Sequence, residues 1–281
     1  MKKIQFIAMA LPLFIALAGC KNQGSGSITP CDPTKHYPLI WSEEFNYTGL
    51  PDSSKWGYEE GFIRNHESQY YTKGRLENAR VENGRLVIES KKESYKGASY
   101  TSASINTLGK VSFPVDSRVE VRARIPWGQG IWPAIWMMGT DVDTIGWPKC
   151  GEIDIMEFVG HTPGVIWSTF HWWDAAKPDS SIHLSGGSNI QLNDLQSGFH
   201  VYGVERTARK LTFFVDNHYF FTFRAYSTVQ KDLFNHSYYL LLNTAIGGDW
   251  GGKIDDSIFP QKFLIDWVRV FAIKDENSAK D

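Results

Sequence analysis

Short runs in which apolar and polar residues alternate follow one another from about residue 37 to residue 273. In SRVEVRARI every second residue is apolar and the others are charged or polar, which is typical of a strand with one buried face. YYLLLNTAI and FLIDWVRVFAI are more continuously apolar and predict more deeply buried strands. Turn residues separate the runs, and Asn83-Gly84 and Asp216-Asn217 each lie between two runs, which predicts two hairpins. Closely spaced strands without a long helical period predict an all-β fold, a β-sandwich or jelly roll.

Length, charge and aromatic content narrow this picture. The chain has 281 residues, of which 42% are hydrophobic, and a net charge of -2. This is enough for one large all-β domain, and no basic excess favours a nucleic-acid partner. A curved sheet presents a concave face onto which alternate residues of many strands project, a shape suited to an extended polymer. The chain also has 11 Trp, many in polar, Gly-rich stretches, and aromatic rings in a wet cleft suit the apolar faces of sugars.

The N-terminal residues have the pattern of an export signal followed by a linker. Met1-Lys2-Lys3 precedes IQFIAMALPLFIALAG, an apolar run too short and too early for an ordinary membrane-spanning helix. The run ends in LAGC, which resembles the lipobox of bacterial lipoproteins and implies a lipid-modified Cys20; the alternative is an uncleaved anchor. We therefore expect a lipoprotein signal peptide over residues 1–20 and a flexible tether over residues 21–36. The resemblance further implies an exported protein anchored in the outer membrane, on a leaflet that the sequence leaves open.

The rest of the chain is predicted to be one domain, residues 37–274, followed by a polar, frayed tail over residues 275–281. Cys31 and Cys150 remain once the signal peptide is removed. Two thiols permit one disulfide, whose formation the sequence leaves open, and no Cys-x-x-Cys spacing indicates a metal site.

The heptapeptide GEIDIME, residues 151–157, raises a question about strand geometry. Side chains alternate between the two faces of a strand, so Glu152 and Asp154 share one face. Strict alternation would put Met156 next on that face and Glu157 on the opposite one. A β-bulge inserts one residue and re-aims those that follow, and bulges are common beside active sites. Either Glu157 is an unrelated acid, or a bulge brings three carboxylates together.

Three clustered carboxylates suit the hydrolysis of a glycosidic bond. Cleavage with retention needs a nucleophilic carboxylate and a carboxylic acid roughly 5–5.5 Å apart. Like charges held this close cannot all ionise cheaply, so at least one group has a raised pKa, as a general acid requires. We expect such a cluster to titrate as one coupled unit.

GEIDIME resembles the signature of glycoside hydrolase family 16, in the bulged form of laminarinase-like β-glucanases. Further blocks resemble the same family in order along the chain: WSEEFN, KWGYEEGFIRNHESQYYT, ENARVENGRLVIES, GIWPAIWMMG, LLNTAIGGDWGG and FPQKFLIDWVRV. Together they extend from Trp41 to Phe271. The resemblance implies a concanavalin A-like jelly roll with a concave substrate cleft. It also implies a monomeric, retaining endo-hydrolase of β-1,3- or mixed β-1,3/1,4-glucan that needs no cofactor for catalysis.

The resemblance also implies residue roles. It makes Glu152 the nucleophile, Asp154 its helper and Glu157 the general acid/base, with His171 beside the acid/base; an ordinary strand histidine is the alternative for His171. The residues expected to bind substrate are Trp132 and Trp136 at the scissile bond, Asn65, Glu67 and Tyr70 at the glycone side, and Asn243 and Trp250 opposite. For Trp136 the alternative is core packing, and for the other five residues after it the alternative is loop structure.

A structural calcium ion on the convex face is a further implication. The matching positions are Glu44, the carbonyl of Gly84, and Asp266, and oxygen ligands suit calcium. The alternative interpretation is that Glu44 and Asp266 are solvated acids at strand ends.

Two departures from the family pattern leave the substrate open. Ser104 stands where many laminarinases have Arg, and the adjacent Trp172 and Trp173 make their strand more aromatic than usual. One alternative is an endo-β-1,4-galactosidase acting on agar-, porphyran- or mucin-type glycans, although the cleft motifs contain no cluster of basic residues beyond Arg64. A transglycosylase is a second alternative, since retention permits any acceptor hydroxyl. A non-catalytic glucan-binding module is a third, but such a module would lack the catalytic acids.

Overall fold

Alternating sequence runs become strands throughout the described part of the chain. The computed structural model describes residues 28–31, 37–174, 176 and 182–273. In chain order its strands are β1 (Thr29–Pro30), β2 (Leu39–Glu43), β3 (Gly57–Tyr58), β4 (Gln69–Tyr71), β5 (Ala79–Glu82), β6 (Arg85–Tyr95), β7 (Ala98–Ser102), β8 (Ser104–Asn106), β9 (Ser117–Arg124), β10 (Ile131–Gly139), β11 (Glu152–Glu157), β12 (Val165–Trp173), β13 (His183–Gln191), β14 (His200–Arg206), β15 (Lys210–Val215), β16 (His218–Arg224), β17 (Tyr238–Ile246) and β18 (Gln261–Ala272).

Helices are short and lie in the connections between strands. They are α1 (Val142–Ile145), α2 (Thr228–Phe234), α3 (Gly248–Gly251) and a 3₁₀ turn, Asp256–Ile258. Among the helices of the described residues, α2 alone has a full capping box, in which Ser227 accepts from the backbone of Gln230 and the Gln230 side chain accepts from the Ser227 backbone. Among the described residues, no helix has both the length and the apolar character needed to cross a membrane.

Two sheets form a sandwich, which confirms the predicted fold class. The larger sheet has the order β1-β16-β15-β14-β9-β18-β6-β7-β4, with β2 beside β18 and β5 beside β6. The seven-stranded sheet has the order β13-β12-β11-β10-β17-β8-β3, so β11 lies near its middle. Apolar residues from the facing sides of both sheets form one core. The strand that carries GEIDIME is therefore fixed by neighbours on both edges.

Both predicted hairpins are present. Asn83 and Gly84 join β5 to β6 with φ of 54° and 70°, and Asp216 and Asn217 join β15 to β16 with φ of 47° and 63°. Positive φ at both central residues matches the twist of antiparallel strands.

Strand β12 shows how the period of two sorts residues between core and cleft. Its positions alternate strictly between half-buried and buried. Phe170 and Trp172 lie on the core side, with ring centroids 5.4 Å apart. His171 and Trp173 are on the opposite face. The expectation that Trp172 and Trp173 both shape substrate choice is therefore wrong for Trp172, which packs in the core.

The boundaries of the domain differ slightly from the prediction. Strand β1 lies inside the predicted tether but pairs with β16, and Cys31 N donates to Asn217 O at 2.6 Å. At least this part of residues 21–36 is attached to the domain. Cys31 and Cys150 are both free thiols, so these two residues do not form the permitted disulfide. The predicted signal peptide and tail, Cys20 included, lie outside the described residues.

Candidate active site

A β-bulge in β11 answers the question raised by GEIDIME. On one side, Asp154 and Glu157 of β11 pair with Thr169 and Trp167 of β12. The first two residues are three positions apart on β11, but the second two are only two positions apart on β12. On the other side, β10 shows the same shift opposite this segment. Ile155 and Met156 both lie in the core between the sheets. The extra residue returns Glu157 to the cleft face.

The bulge brings the predicted catalytic residues together. His171 Nε2 lies 2.8 Å from Asp154 Oδ2 and 3.9 Å from Glu152 Oε1. Trp132 Nε1 donates to Glu157 Oε1 at 3.0 Å from the neighbouring strand β10. Asp154 is almost completely buried, whereas Glu152 and Glu157 are half-buried and reachable from the cleft.

Burial and mutual repulsion raise the pKa values of both glutamates. Burial, followed by the charge of Asp154, raises the pKa of Glu152 to about 7. The same two causes raise the pKa of Glu157 well above its ordinary value. Burial lowers the pKa of His171, but the charge and hydrogen bond of Asp154 outweigh burial and raise it to about 9. At neutral pH the cluster therefore contains an imidazolium and retains at least one carboxyl proton.

Three tryptophans form an aromatic wall beside Glu157. The ring centroid of Trp250 lies 5.5 Å from that of Trp132 and 6.0 Å from that of Trp167, with both pairs edge to face. Trp132 and Trp250 are two of the residues expected to bind substrate. Trp167 is not among them, although the two-residue period of β12 puts it on the same face as His171.

Trp136 is placed differently from the expectation that it stacks on sugar. Its ring is 6% exposed, and the guanidinium of Arg64 lies over it, 5.0 Å from the centroid. Its Nε1 donates to Asn243 Oδ1 at 2.7 Å, and Asn243 Nδ2 donates to the Tyr71 hydroxyl at 2.9 Å. Trp136 and Asn243 thus form a buried layer beneath Arg64, which is the group that covers the ring.

The glycone-side residues divide into two groups. Glu67 is buried and accepts from Asn65 Nδ2 at 3.3 Å and from Gln69 Nε2 at 2.6 Å. It also bridges to Gly247, so this network joins two loops. Tyr70 instead packs edge to face against Phe62 and Tyr95, and the adjacent Tyr71 is the tyrosine that reaches Asn243.

Ser104 acts on the cleft through a neighbouring acid. Its Oγ donates to Glu59 Oε2 at 2.6 Å, and the other oxygen of Glu59 pairs with Arg64. The charge of Arg64 in turn lowers the pKa of Glu152, against the larger effect of burial. A positive charge therefore does reach the cleft in this chain, from a loop residue that Ser104 helps to orient.

The acids expected to bind calcium are both engaged by arginines. Glu44 accepts two hydrogen bonds from Arg269, each of 2.9 Å. Asp266 pairs with Arg122 and lies 3.8 Å from Arg85. Guanidinium groups repel a cation, so a calcium ion at these residues would have to displace the arginines from both carboxylates. Elsewhere in the described chain, Glu152, Asp154 and His171 offer ligand atoms within 4.8 Å of one another, a spacing that the His171–Asp154 ion pair accounts for.

A jelly-roll sandwich with a carboxylate cluster on a bulged central strand defines a class of glycan hydrolases. Residues 66–269 match the family described as Glycosyl hydrolases family 16. The chain belongs to this family.

Individual relatives agree with this assignment. The "Beta-glucanase" of Rhodothermus marinus is 41% identical over 275 residues, 92% of each chain. The X-ray structure of the laminarinase from Rhodothermus marinus has a TM-score of 0.76 and 39% identity, and the match covers 84% of this chain and 98% of that one. A mutant of SCLam, "a non-specific endo-beta-1,3(4)-glucanase from family GH16", has a TM-score of 0.78 and 38% identity, over 88% and 99%.

Proposed function

We propose that this protein is a retaining endo-β-glucanase that cleaves β-1,3- or mixed β-1,3/1,4-glucan by double displacement. The observation that carries the proposal is the bulge in β11, because it places Glu152 and Glu157 on one cleft face with Asp154 between them. The similarity to β-glucanases and laminarinases supports the same reaction on the same class of substrate.

In the first step, Glu157 protonates the glycosidic oxygen while the Glu152 carboxylate attacks the anomeric carbon. The bond to the leaving sugar breaks, and a glycosyl ester forms on Glu152. Because its pKa is raised, Glu157 retains the proton that it donates in this step. The positive charges of His171 and Arg64 favour the ionised form of Glu152.

In the second step, Glu157 accepts a proton from water, and the hydroxide attacks the same carbon and releases Glu152. Two inversions give net retention, and each residue returns to its starting protonation state. Trp132, Trp167 and Trp250 provide the aromatic surface beside Glu157 on which sugar rings can stack.

A polysaccharide panel tests the proposal. We expect laminarin and mixed-linkage β-glucan to be cut into short oligosaccharides, as measured by product chromatography, with the β-anomer formed first in ¹H NMR. Cellulose and starch should be left intact. Inactivity on both glucans alongside cleavage of agarose, porphyran or mucin glycans would assign the protein to the galactosidase alternative, and inactivity on the whole panel would overturn the proposal.

We further propose that the protein is an exported lipoprotein, anchored through Cys20 in the outer membrane, and a monomer. The LAGC sequence and the preceding apolar run support the anchor. We also propose that a calcium ion binds at Glu44, the carbonyl of Gly84, and Asp266. Its binding requires Glu44 to release Arg269 and Asp266 to release Arg122.

A further inference from the structure

A second histidine contacts the histidine of the catalytic cluster. His183 begins β13, the edge strand next to β12, and its Nε2 lies 2.5 Å from Nδ1 of His171. The ring centroids are 4.8 Å apart and the ring planes differ by 27°. The distance between the ring centroids is about the sum of the N···N distance and the two distances from each centroid to its nitrogen. The two nitrogens therefore point directly at each other, as in a hydrogen bond between ring edges. The contact is an N–H···N hydrogen bond that extends the contact between Asp154 and His171 to a third residue, His183.

Charge determines which imidazole donates. Nε2 of His171 lies 2.8 Å from Oδ2 of Asp154, and the charges of Glu152 and Glu157 on β11 also act on His171. Burial and the charge of His171 lower the pKa of His183 to about 4. Two imidazolium rings cannot share one short bond, so the positive charge stays on His171. His183 is neutral, and its Nε2 accepts the Nδ1 proton of His171.

Trp147 holds His183 in place from the other side. The centroid of its ring lies 4.7 Å from that of His183. The Trp147 side chain also lowers the pKa of Glu152. The connection before β11 therefore packs against His183 and influences the ionisation of Glu152.

We propose that His183 is a positioning residue for the glucanase reaction, which keeps His171 doubly protonated and directed at Asp154. This inference rests on the proposed function. The charge of His171 offsets that of Asp154, and without it Glu152 would ionise only at higher pH. His183 itself touches no reacting atom. It acts through His171, in the way that a hydrogen-bond partner on one ring nitrogen orients a functional histidine whose other nitrogen faces the site.

Two substitutions separate positioning from packing. His183→Phe keeps an aromatic ring against Trp147 but removes the acceptor, whereas His183→Gln keeps an acceptor. His218→Phe is the matched control, because His218 is exposed on β16 of the other sheet. For each variant we would measure thermal unfolding, kcat and KM on laminarin from pH 4 to 9, and the ¹⁵N signals of histidine during a pH titration, with His171→Gln for assignment.

We expect His183→Phe to lower kcat about tenfold at pH 8 with little change in KM and less effect at pH 6. The pKa of His171 is about 9, so a fall of its midpoint removes the imidazolium charge first at alkaline pH. The titration midpoint of His171 should fall, and His183→Gln should recover most of both effects. An unchanged His171 midpoint in folded His183→Phe would overturn the proposal, even if activity fell. Because the NMR titration needs no substrate, it tests His183 even if the protein proves inactive on glucans.

Discussion

The indole of Trp132 donates a hydrogen bond of 3.0 Å to Oε1 of Glu157. Burial and the charge of Asp154 raise the pKa of Glu157, and this hydrogen bond opposes them because it stabilises the carboxylate. Trp132 therefore orients the acid/base and limits how firmly it holds its proton. An acid that holds its proton too firmly is a poor donor to the leaving oxygen.

Trp132→Phe removes the hydrogen bond but keeps an aromatic surface. We expect the pKa of Glu157 to rise further, so the basic limb of the kcat/KM profile should move to higher pH while kcat falls about tenfold. Trp127→Phe, at an exposed site, is the control. A basic limb that stays in place or moves to lower pH would contradict this role of Trp132.

Glu152→Gln tests the nucleophile. Glutamine is nearly isosteric but cannot form the glycosyl ester, so kcat should fall by roughly a thousandfold or more while oligosaccharide binding persists. Reducing-sugar assays and a fluorescence titration with laminarin oligosaccharides measure the two properties. Exposed Glu60→Gln should keep full activity. Retention of more than a few per cent of activity by purified Glu152→Gln would remove Glu152 from this role.

Glu157→Ala tests the acid/base by chemical rescue. On an activated aryl β-glycoside the first step needs no acid, and added azide enters the vacated space and attacks without a general base. We expect azide to restore turnover and to give the β-glycosyl azide, identified by NMR. Wild-type protein under the same conditions should give mainly the hydrolysed sugar. An α-azide would mean that the roles of Glu152 and Glu157 are reversed.

The bulge could be predicted because it resolves a conflict visible in seven residues. An apolar residue occupies the position where strict alternation would put a third carboxylate, and one inserted residue restores Glu157 to the cleft face. The two-sheet fold followed from similar local signals, since period-two runs and turn residues recur along the whole domain. Trp167 could have been found in the same way from the alternation of β12.

Contacts between distant segments were not predictable from the sequence. Arg64 covers Trp136 because a loop folds over β10, and His183 meets His171 because β13 pairs with β12 in one particular register. Neither contact leaves a periodic signal. The residues expected to bind calcium illustrate the same difficulty. Glu44 and Asp266 match the family pattern in sequence, but the sequence did not reveal that Arg269 and Arg122 pair with them.

Cys20→Ser tests the lipid anchor. The LAGC box predicts that the wild-type protein incorporates labelled palmitate and fractionates with outer membranes. The substituted protein should do neither, while its activity on laminarin is unchanged, because β1 attaches to the domain only after the predicted lipid site. A wild-type protein that is freely soluble and unlabelled would disprove the anchor.

Arg64→Met tests whether a positive charge in the cleft tunes the nucleophile. Arg64 lies over Trp136 and is paired with Glu59, which Ser104 holds through a 2.6 Å hydrogen bond. Because the charge of Arg64 lowers the pKa of Glu152, its loss should raise that pKa and move the acidic limb of kcat/KM to higher pH.

The double variant Arg64→Met/Glu59→Gln avoids leaving Glu59 half-buried without its partner, and it should show the same direction of shift if Arg64 acts on Glu152 by charge. Ser104→Ala is the matched control, since it removes the bond to Glu59 but keeps both charges, and its acidic limb should move least. Methionine also uncovers the ring of Trp136, so KM for laminarin oligosaccharides reports separately whether Arg64 contacts sugar. An acidic limb that coincides with wild type in both Arg64 variants would show that the ionisation of Glu152 depends on His171 and burial alone.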